Sequence, residues 1–162
     1  MIIQEDTRQK AGKHDLKHAH FHDNNIGLVR CKLPFGDYAP VPPVSIDTKE
    51  DMEEIAQNIF GAKNEHQRFI RECKAARDAG CKLYILVENS IGICDLSQVH
   101  IWQNPRSCYS PRCVQGPRLQ KAMETISERY GVTFLFCPPE DAGATIERII
   151  QSYEQQIIRR GD

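Results

Sequence analysis

Seven residues, Lys82-Leu83-Tyr84-Ile85-Leu86-Val87-Glu88, constrain the fold more than any other stretch of the chain. An apolar run this short cannot span a bilayer, which takes ~20 residues, and it lacks the alternation of a strand with one wet face. It reads as a strand buried on both faces, which places it at the centre of a sheet with helices above and below. The flanking patterns agree. Met52, Ile55, Ala56 and Ile59 recur at helical spacing before Gly61, and a second helix fits residues 64–79, stopped by Gly80.

The rest of the chain supplies the other elements. Residues 2–6 read as a strand ending in acids, and 12–22 as a polar helix or turn broken at Asn24-Asn25-Ile26-Gly27. Ile26 to Leu33 has a strand rhythm, and Pro34 to Asp37 forms a turn into another extended piece. Past Pro40, Pro42 and Pro43, the stretch Val44 to Lys49 alternates cleanly, so these pieces form a hairpin with a stiff connection. Residues 89–116 are irregular. A helix over 117–129, a strand Val132–Cys137, and a helix from Pro138 to about Arg159 complete the order. The expectation is one mixed central α/β sheet flanked by helices, with 1–162 forming a single domain.

Bulk properties exclude several functions. The formal net charge is −1, so contact with a polyanion must come from a local basic face. Seven cysteines, an odd number, with no apolar segment after the amino terminus, point to reduced thiols in a cytoplasmic protein. No apolar run supports a membrane partner.

The chemistry gathers around Asp37 and Asp47-x-Lys49, with Asp6 at the end of the first strand. Strand alternation sends Asp47 and Lys49 to one face while Thr48 points away, and a hairpin brings Asp37 within reach of that face. Two carboxylates and an ammonium suit a hard divalent cation, Mg²⁺ or Mn²⁺, together with a phosphodiester. Asp37 and Asp47 would hold the ion, and Lys49 would orient the attacking water and offset developing charge. As a bare spacing, the same residues also describe a turn cap beside an exposed strand pair.

Wider context selects between these readings. Asp6-Thr7-Arg8, Gly36-Asp37-Tyr38, Ile46-Asp47-Thr48-Lys49 and Leu86-Val87-Glu88 occur in the order of the D-x-R-E, G-D-Y, V-E-R-K and L-I-E landmarks of XPF-type nuclease domains. The stretch from Ile2 to Glu88 resembles that family, a branch of the PD-(D/E)xK superfamily. The segment 89–162, with Trp102-x-Asn104-Pro105-Arg106 and Tyr130-Gly131-x-x-Phe134-x-Phe136-Cys137, resembles a C-terminal α/β extension found in compact bacterial and phage members.

The resemblance implies a restriction-endonuclease-like fold and a Mg²⁺- or Mn²⁺-dependent endonuclease that hydrolyses DNA, structure-selectively in repair or recombination. Lys49, Asp37, Asp47 and Asp6 would be catalytic, and Asp37, Asp47 and Thr48 metal-binding. Arg8, Gln67 and Arg68 would lie along the nucleic acid. The partner would be DNA, with a homodimer left open and a nucleoid-associated location. The chain departs from the pattern at Asp47, which replaces Glu, at Thr48, which replaces Arg, and at Gln9, which replaces the Glu after Arg8. No helix-hairpin-helix tail follows to imply branch selectivity.

From Gln103 to Lys121 the cations Arg106, Arg112, Arg118 and Lys121 face no acid, a pattern suited to tracking phosphates. Trp102 and Tyr109 are available there for stacking on an unpaired base. The helix around 63–77 carries five cations against two acids, which also suits a solvated face. Two competing functions remain: an inert DNA-binding module of the same fold, and a thiol- or histidine-based metal regulator. The latter would use Cys108-x₄-Cys113 with Cys94 and Cys137, or His14, His18, His20 and His22.

Overall fold

A computed structural model describes residues 1–9, 12–40 and 43–160, with side chains described through 156. Pro42, one of the residues expected to stiffen the hairpin connection, lies outside the described residues. The elements follow the order β1 Ile2–Asp6, α1 Asp15–Asp23, β2 Gly27–Cys31, β3 Tyr38–Ala39, β4 Val44–Lys49, α2 Met52–Phe60, α3 Lys63–Asp78, β5 Lys82–Glu88, α4 Gly116–Tyr130, β6 Thr133–Cys137 and α5 Ala142–Arg160. Short 3₁₀ turns fill Leu96–Ile101, Pro105–Cys108 and Pro139–Asp141.

Among the described residues, six strands form one mixed sheet in the order β2-β1-β3-β4-β5-β6. β3 runs antiparallel to both neighbours, and the pairs β1·β2, β4·β5 and β5·β6 are parallel. β5 is interior, as the apolar run requires, but it lies one strand from the edge rather than at the centre. The hairpin and β1 extend the sheet on its other side.

The two faces of β5 explain the run residue by residue. Leu83, Ile85 and Val87 pack with Met52, Ile55, Phe69, Leu119 and Met123 of α2, α3 and α4. Tyr84 and Leu86 face Ile3, Phe21, Ile146 and Ile150 of β1, α1 and α5. At about 1.5–3 kcal/mol for each large apolar side chain fully buried, these two layers dominate the folding free energy.

α1 is seated differently. It buries only Phe21 and a lysine, Lys17, whose ammonium pairs with the Glu88 carboxylate at the end of β5. His14, just before the helix, is also buried, its Nδ1 2.6 Å from the Tyr38 hydroxyl. Burial is the main reason that the His14 pKa falls to about 4, and the nearby Lys17 ammonium adds to it.

The irregular segment is ordered by Asn104. Its amide donates to the Val114 carbonyl at 3.0 Å, and its carbonyl caps the Arg106 N–H at 3.0 Å. Gly116 lets the segment close on itself, since a Cβ there would meet the Val99 carbonyl at 2.5 Å. One expectation is corrected here: Trp102 is buried in the α2/α3/α4 core, so it cannot stack on a base. Its indole completes the apolar layer under the loop, whereas Tyr109 is 77% exposed. Among the described residues, no helix is long and apolar enough to cross a membrane.

Candidate active site

The site forms where β4 ends and α2 begins. Ile46 faces the α1/α5 core, so alternation turns Asp47 and Lys49 toward α2 and α3. Asp51 stops the strand by accepting the Glu54 N–H at 2.7 Å as the α2 cap, and Glu54 in turn accepts the Glu50 N–H at 2.8 Å. A cleft of about 470 Å³ opens beside this turn. Its walls include Asp6, Arg8, Gln9, Asp37, Asp47, Thr48 and Lys49 from the sheet side and Arg68, Arg71 and Glu72 from α3.

Asp47 and Lys49 are both buried, with Asp47 Oδ2 and Lys49 Nζ 2.6 Å apart. That oxygen makes a close ionic contact but has no directed hydrogen bond. Burial pushes the Asp47 carboxyl up, opposed by Lys49 and helped by the charges of Asp37 and Glu72. Burial acts to lower the Lys49 pKa, yet the Asp47 carboxylate outweighs it and holds Lys49 above the ordinary lysine range. The ammonium also lies 5.9 Å from the centre of the Phe69 ring, a favourable site for a cation.

Asp37 enters from the turn before β3. Its N–H donates to the Ile46 carbonyl at 2.7 Å, and its Oδ2 accepts the Thr48 N–H at 2.8 Å and the Thr48 hydroxyl. Gln9 donates to the other oxygen. Asp37 therefore sits at the edge of β4, bound to Thr48, rather than on the Asp47 and Lys49 face itself. In extended backbone the N–H and C=O of one residue point to the same edge. The Thr48 carbonyl accordingly opens beside Asp37.

Asp6 lies in the same wall, but its oxygens are committed. Oδ1 accepts from Arg8 N at 2.7 Å and Arg8 Nε at 2.8 Å, and Oδ2 from Arg8 Nη2 at 2.6 Å and Leu33 N at 2.9 Å. The Arg8 guanidinium is the main reason that the Asp6 carboxyl is held below its usual range. Asp6 thus clamps Arg8 at the rim of the cleft.

The donors present are oxygens of the chemical kind that a divalent ion takes. Asp37, Asp47 and the Thr48 carbonyl all offer hard oxygens, and the buried Asp47 Oδ2, without a directed hydrogen bond, already lies against one cation, the Lys49 ammonium. Mg²⁺ is typically held by one or two carboxylates while keeping several waters. Among the described residues, no three His, Cys, Asp or Glu side chains surround a common metal position. The expected histidine cluster is dispersed: His18 pairs with Glu5, His20 with Glu147 and His22 with Asp23.

The structure divides the expected nucleic-acid residues. Arg8 and Arg68 line the cleft, while Gln67 is exposed on α3 and is not part of its walls. Arg106 and Arg112 line a second cleft of about 320 Å³ with Asn104, Ser110 and Arg118. A shallow depression containing Lys13, Glu53, Glu54, Gln57 and Arg106 lies between the two. Sequence reasoning missed Arg71 and Glu72 as site residues. Their signal was helical spacing, because Arg68, Arg71, Glu72 and Ala75 form one stripe of α3 facing the cleft.

No family model matches the sequence, and no curated protein matches it either. Solved structures do. The chain superposes on XPF from Aeropyrum pernix with a TM-score of 0.69 at 16% identity, over 99% of this chain and 69% of that one. For XPF from Aeropyrum pernix in complex with DNA, the TM-score is 0.67 at 16% identity, over 96% and 66% of the two chains. At that identity the likeness concerns architecture: the mixed sheet and its flanking helices have an XPF-type nuclease fold.

Proposed function

We propose that this chain is a metal-dependent endonuclease that hydrolyses phosphodiester bonds in DNA at the Asp37, Asp47 and Lys49 cleft. The observation that carries the reading is the buried Asp47–Lys49 pair beside Asp37, at the mouth of a fold shared with a protein solved in complex with DNA. Buried charges are costly, and a chain that needed only stability would do as well with apolar residues there.

Asp37, Asp47 and the Thr48 carbonyl would hold Mg²⁺ or Mn²⁺. When bound, the ion supplies a Lewis acid toward the phosphoryl oxygen and favours ionisation of a nearby water. Lys49 neutralises Asp47 in the ion-free protein. The Asp47 carboxylate favours its charged form, so Lys49 keeps its proton and serves as a hydrogen-bond donor and a fixed positive charge rather than a base; its task is to orient the attacking water and offset charge at phosphorus. Arg68 and Arg71 form no ion pair among the described residues and are free to hold the flanking phosphates. The Phe69 ring near Lys49 gives the ammonium an apolar, cation-favouring neighbour.

One observation favours the inert DNA-binding reading. Both Asp37 oxygens already accept from Gln9 and Thr48, and Gln9 stands where the resemblance implies an acid. A panel of flapped, nicked, single-stranded and duplex DNAs incubated with Mg²⁺, Mn²⁺ or EDTA separates the two. Metal-dependent cleavage that is lost in Asp37→Asn and Asp47→Asn, with DNA binding retained, is the expected result. Mn²⁺ titration calorimetry showing undiminished affinity in both variants would remove these residues as ligands.

A further inference from the structure

We infer that Glu72 is a positioning residue, whose carboxylate fixes the turn presenting Asp37 and keeps it in register with the arginine stripe of α3. The inference rests on the proposed nuclease site and adds a residue to it. The Gly36 N–H donates to Glu72 Oε1 at 3.0 Å across the cleft. Gly36 has φ +63, and a Cβ there would meet the Ile46 carbonyl oxygen at 2.7 Å, so the turn is pressed directly against β4. Its other bonds come from the sheet: Asp37 N to Ile46 O at 2.7 Å, Asp6 N to Asp37 O at 2.9 Å, and the Ser45 hydroxyl to the Phe35 carbonyl.

Among the described residues, Glu72 supplies the hydrogen bond that ties this turn to the helical layer, alongside the apolar packing of Phe35 against the α2/α3/α4 core. Arg68 lies one helical turn before Glu72 and Arg71 directly before it, and all three line the cleft. A shift of the Gly36 turn away from α3 would change the spacing between the two arginines and Asp37. The same bond therefore sets the distance between phosphate contacts and cation ligands. A buried backbone N–H such as that of Gly36 is costly to leave without an acceptor, and the groups that orient metal ligands typically change affinity by about 10–100-fold when removed.

The role depends on an acceptor at this position and not on its charge, which makes two variants informative. Glu72→Ala removes the acceptor, whereas Glu72→Gln keeps a carbonyl oxygen for Gly36. In the metal-free protein, amide hydrogen exchange at Gly36 is expected to speed up by about tenfold or more in Glu72→Ala and to stay near the parent rate in Glu72→Gln. Mn²⁺ affinity measured by calorimetry is expected to fall by about 10–100-fold in Glu72→Ala and to be restored in Glu72→Gln. Unchanged Gly36 exchange in Glu72→Ala overturns the inference. So does a folded Glu72→Gln that loses either Gly36 protection or Mn²⁺ affinity, and this variant decides the matter if Glu72→Ala does not fold. A parent protein that binds no Mn²⁺ would defeat the nuclease reading instead, and Gly36 exchange would still decide the role of Glu72.

Discussion

Replacing Lys49 with Met isolates the buried charge of Asp47. The two side chains are each about nine-tenths buried and 2.6 Å apart, so the substitution leaves Asp47 either as an uncompensated anion or as a neutral acid. Removing one partner of a buried pair costs about 3–5 kcal/mol while the other stays charged. Protonation limits that cost. Burial, assisted by Asp37 and Glu72, already pushes the Asp47 pKa up to about 7 against the opposing pull of Lys49. Without the ammonium it moves higher still.

The sign follows from proton linkage. A carboxyl whose folded pKa exceeds its unfolded value holds more protons in the fold, so the stability it contributes is complete below the unfolded value and is lost as pH rises through the folded one. Lys49→Met should therefore cost little near about pH 5 and most above about pH 8. At the higher pH, about 3–5 kcal/mol corresponds to a melting temperature lower by about 6–20 °C for a domain of this size. Mn²⁺ at about 100 times its dissociation constant should return about 2.7 kcal/mol. Thermal unfolding followed by circular dichroism across this pH range, with and without Mn²⁺, measures both effects. A loss of stability that is equal at both pH values and unmoved by Mn²⁺ would refute the reasoning, because it would mean that Asp47 carries no charge to strand.

Three further outcomes are expected. In single-turnover cleavage at saturating protein, Lys49→Ala should slow the step by about 10²–10³ with little change in affinity; Lys49→Arg should rescue poorly, since a planar guanidinium does not reproduce a compact ammonium. Replacing Arg106 and Arg112 together by Ala should make the dependence of log K on log salt shallower by up to about 1.8, and an unchanged slope would leave the second cleft outside the DNA footprint. Asp6 has a lowered pKa, so it contributes stability above its unfolded value that is lost as pH falls through the folded one; Asp6→Asn should flatten the acid side of the stability profile in urea denaturation.

The parts of this molecule that sequence exposes are those set by local periodicity. The apolar run of β5 foretold helices on both faces, and alternation in β4 placed Asp47 and Lys49 together because the side-chain period of a strand is two. The position of β5 within the sheet was not legible, because strand order depends on where β1 and β2 dock, which no local pattern encodes. Trp102 illustrates the same limit, since a loop tryptophan next to cations looks like a stacking platform until Asn104 folds the segment over it. Glu72 counted merely as an acid in a basic helix. Its bond to Gly36 spans 36 positions of sequence and arises only when α3 packs beside the hairpin.

The seating of α1 has a consequence for uniqueness. An apolar helix face can slide or rotate by a fraction of a turn at modest cost, because one methyl contact replaces another. α1 lacks that freedom: Lys17 must meet Glu88, and the Tyr38 hydroxyl meets His14 just before the helix. A helix advanced by a single residue would bury both charges without partners, an error far more costly than the pair's own net contribution. The ion pair therefore acts as a key, admitting one alignment of α1 on the sheet and rejecting its near neighbours. β1 and β2 are joined through this helix, so the alignment it admits is also the one that brings Asp6 and Arg8 to the rim of the cleft.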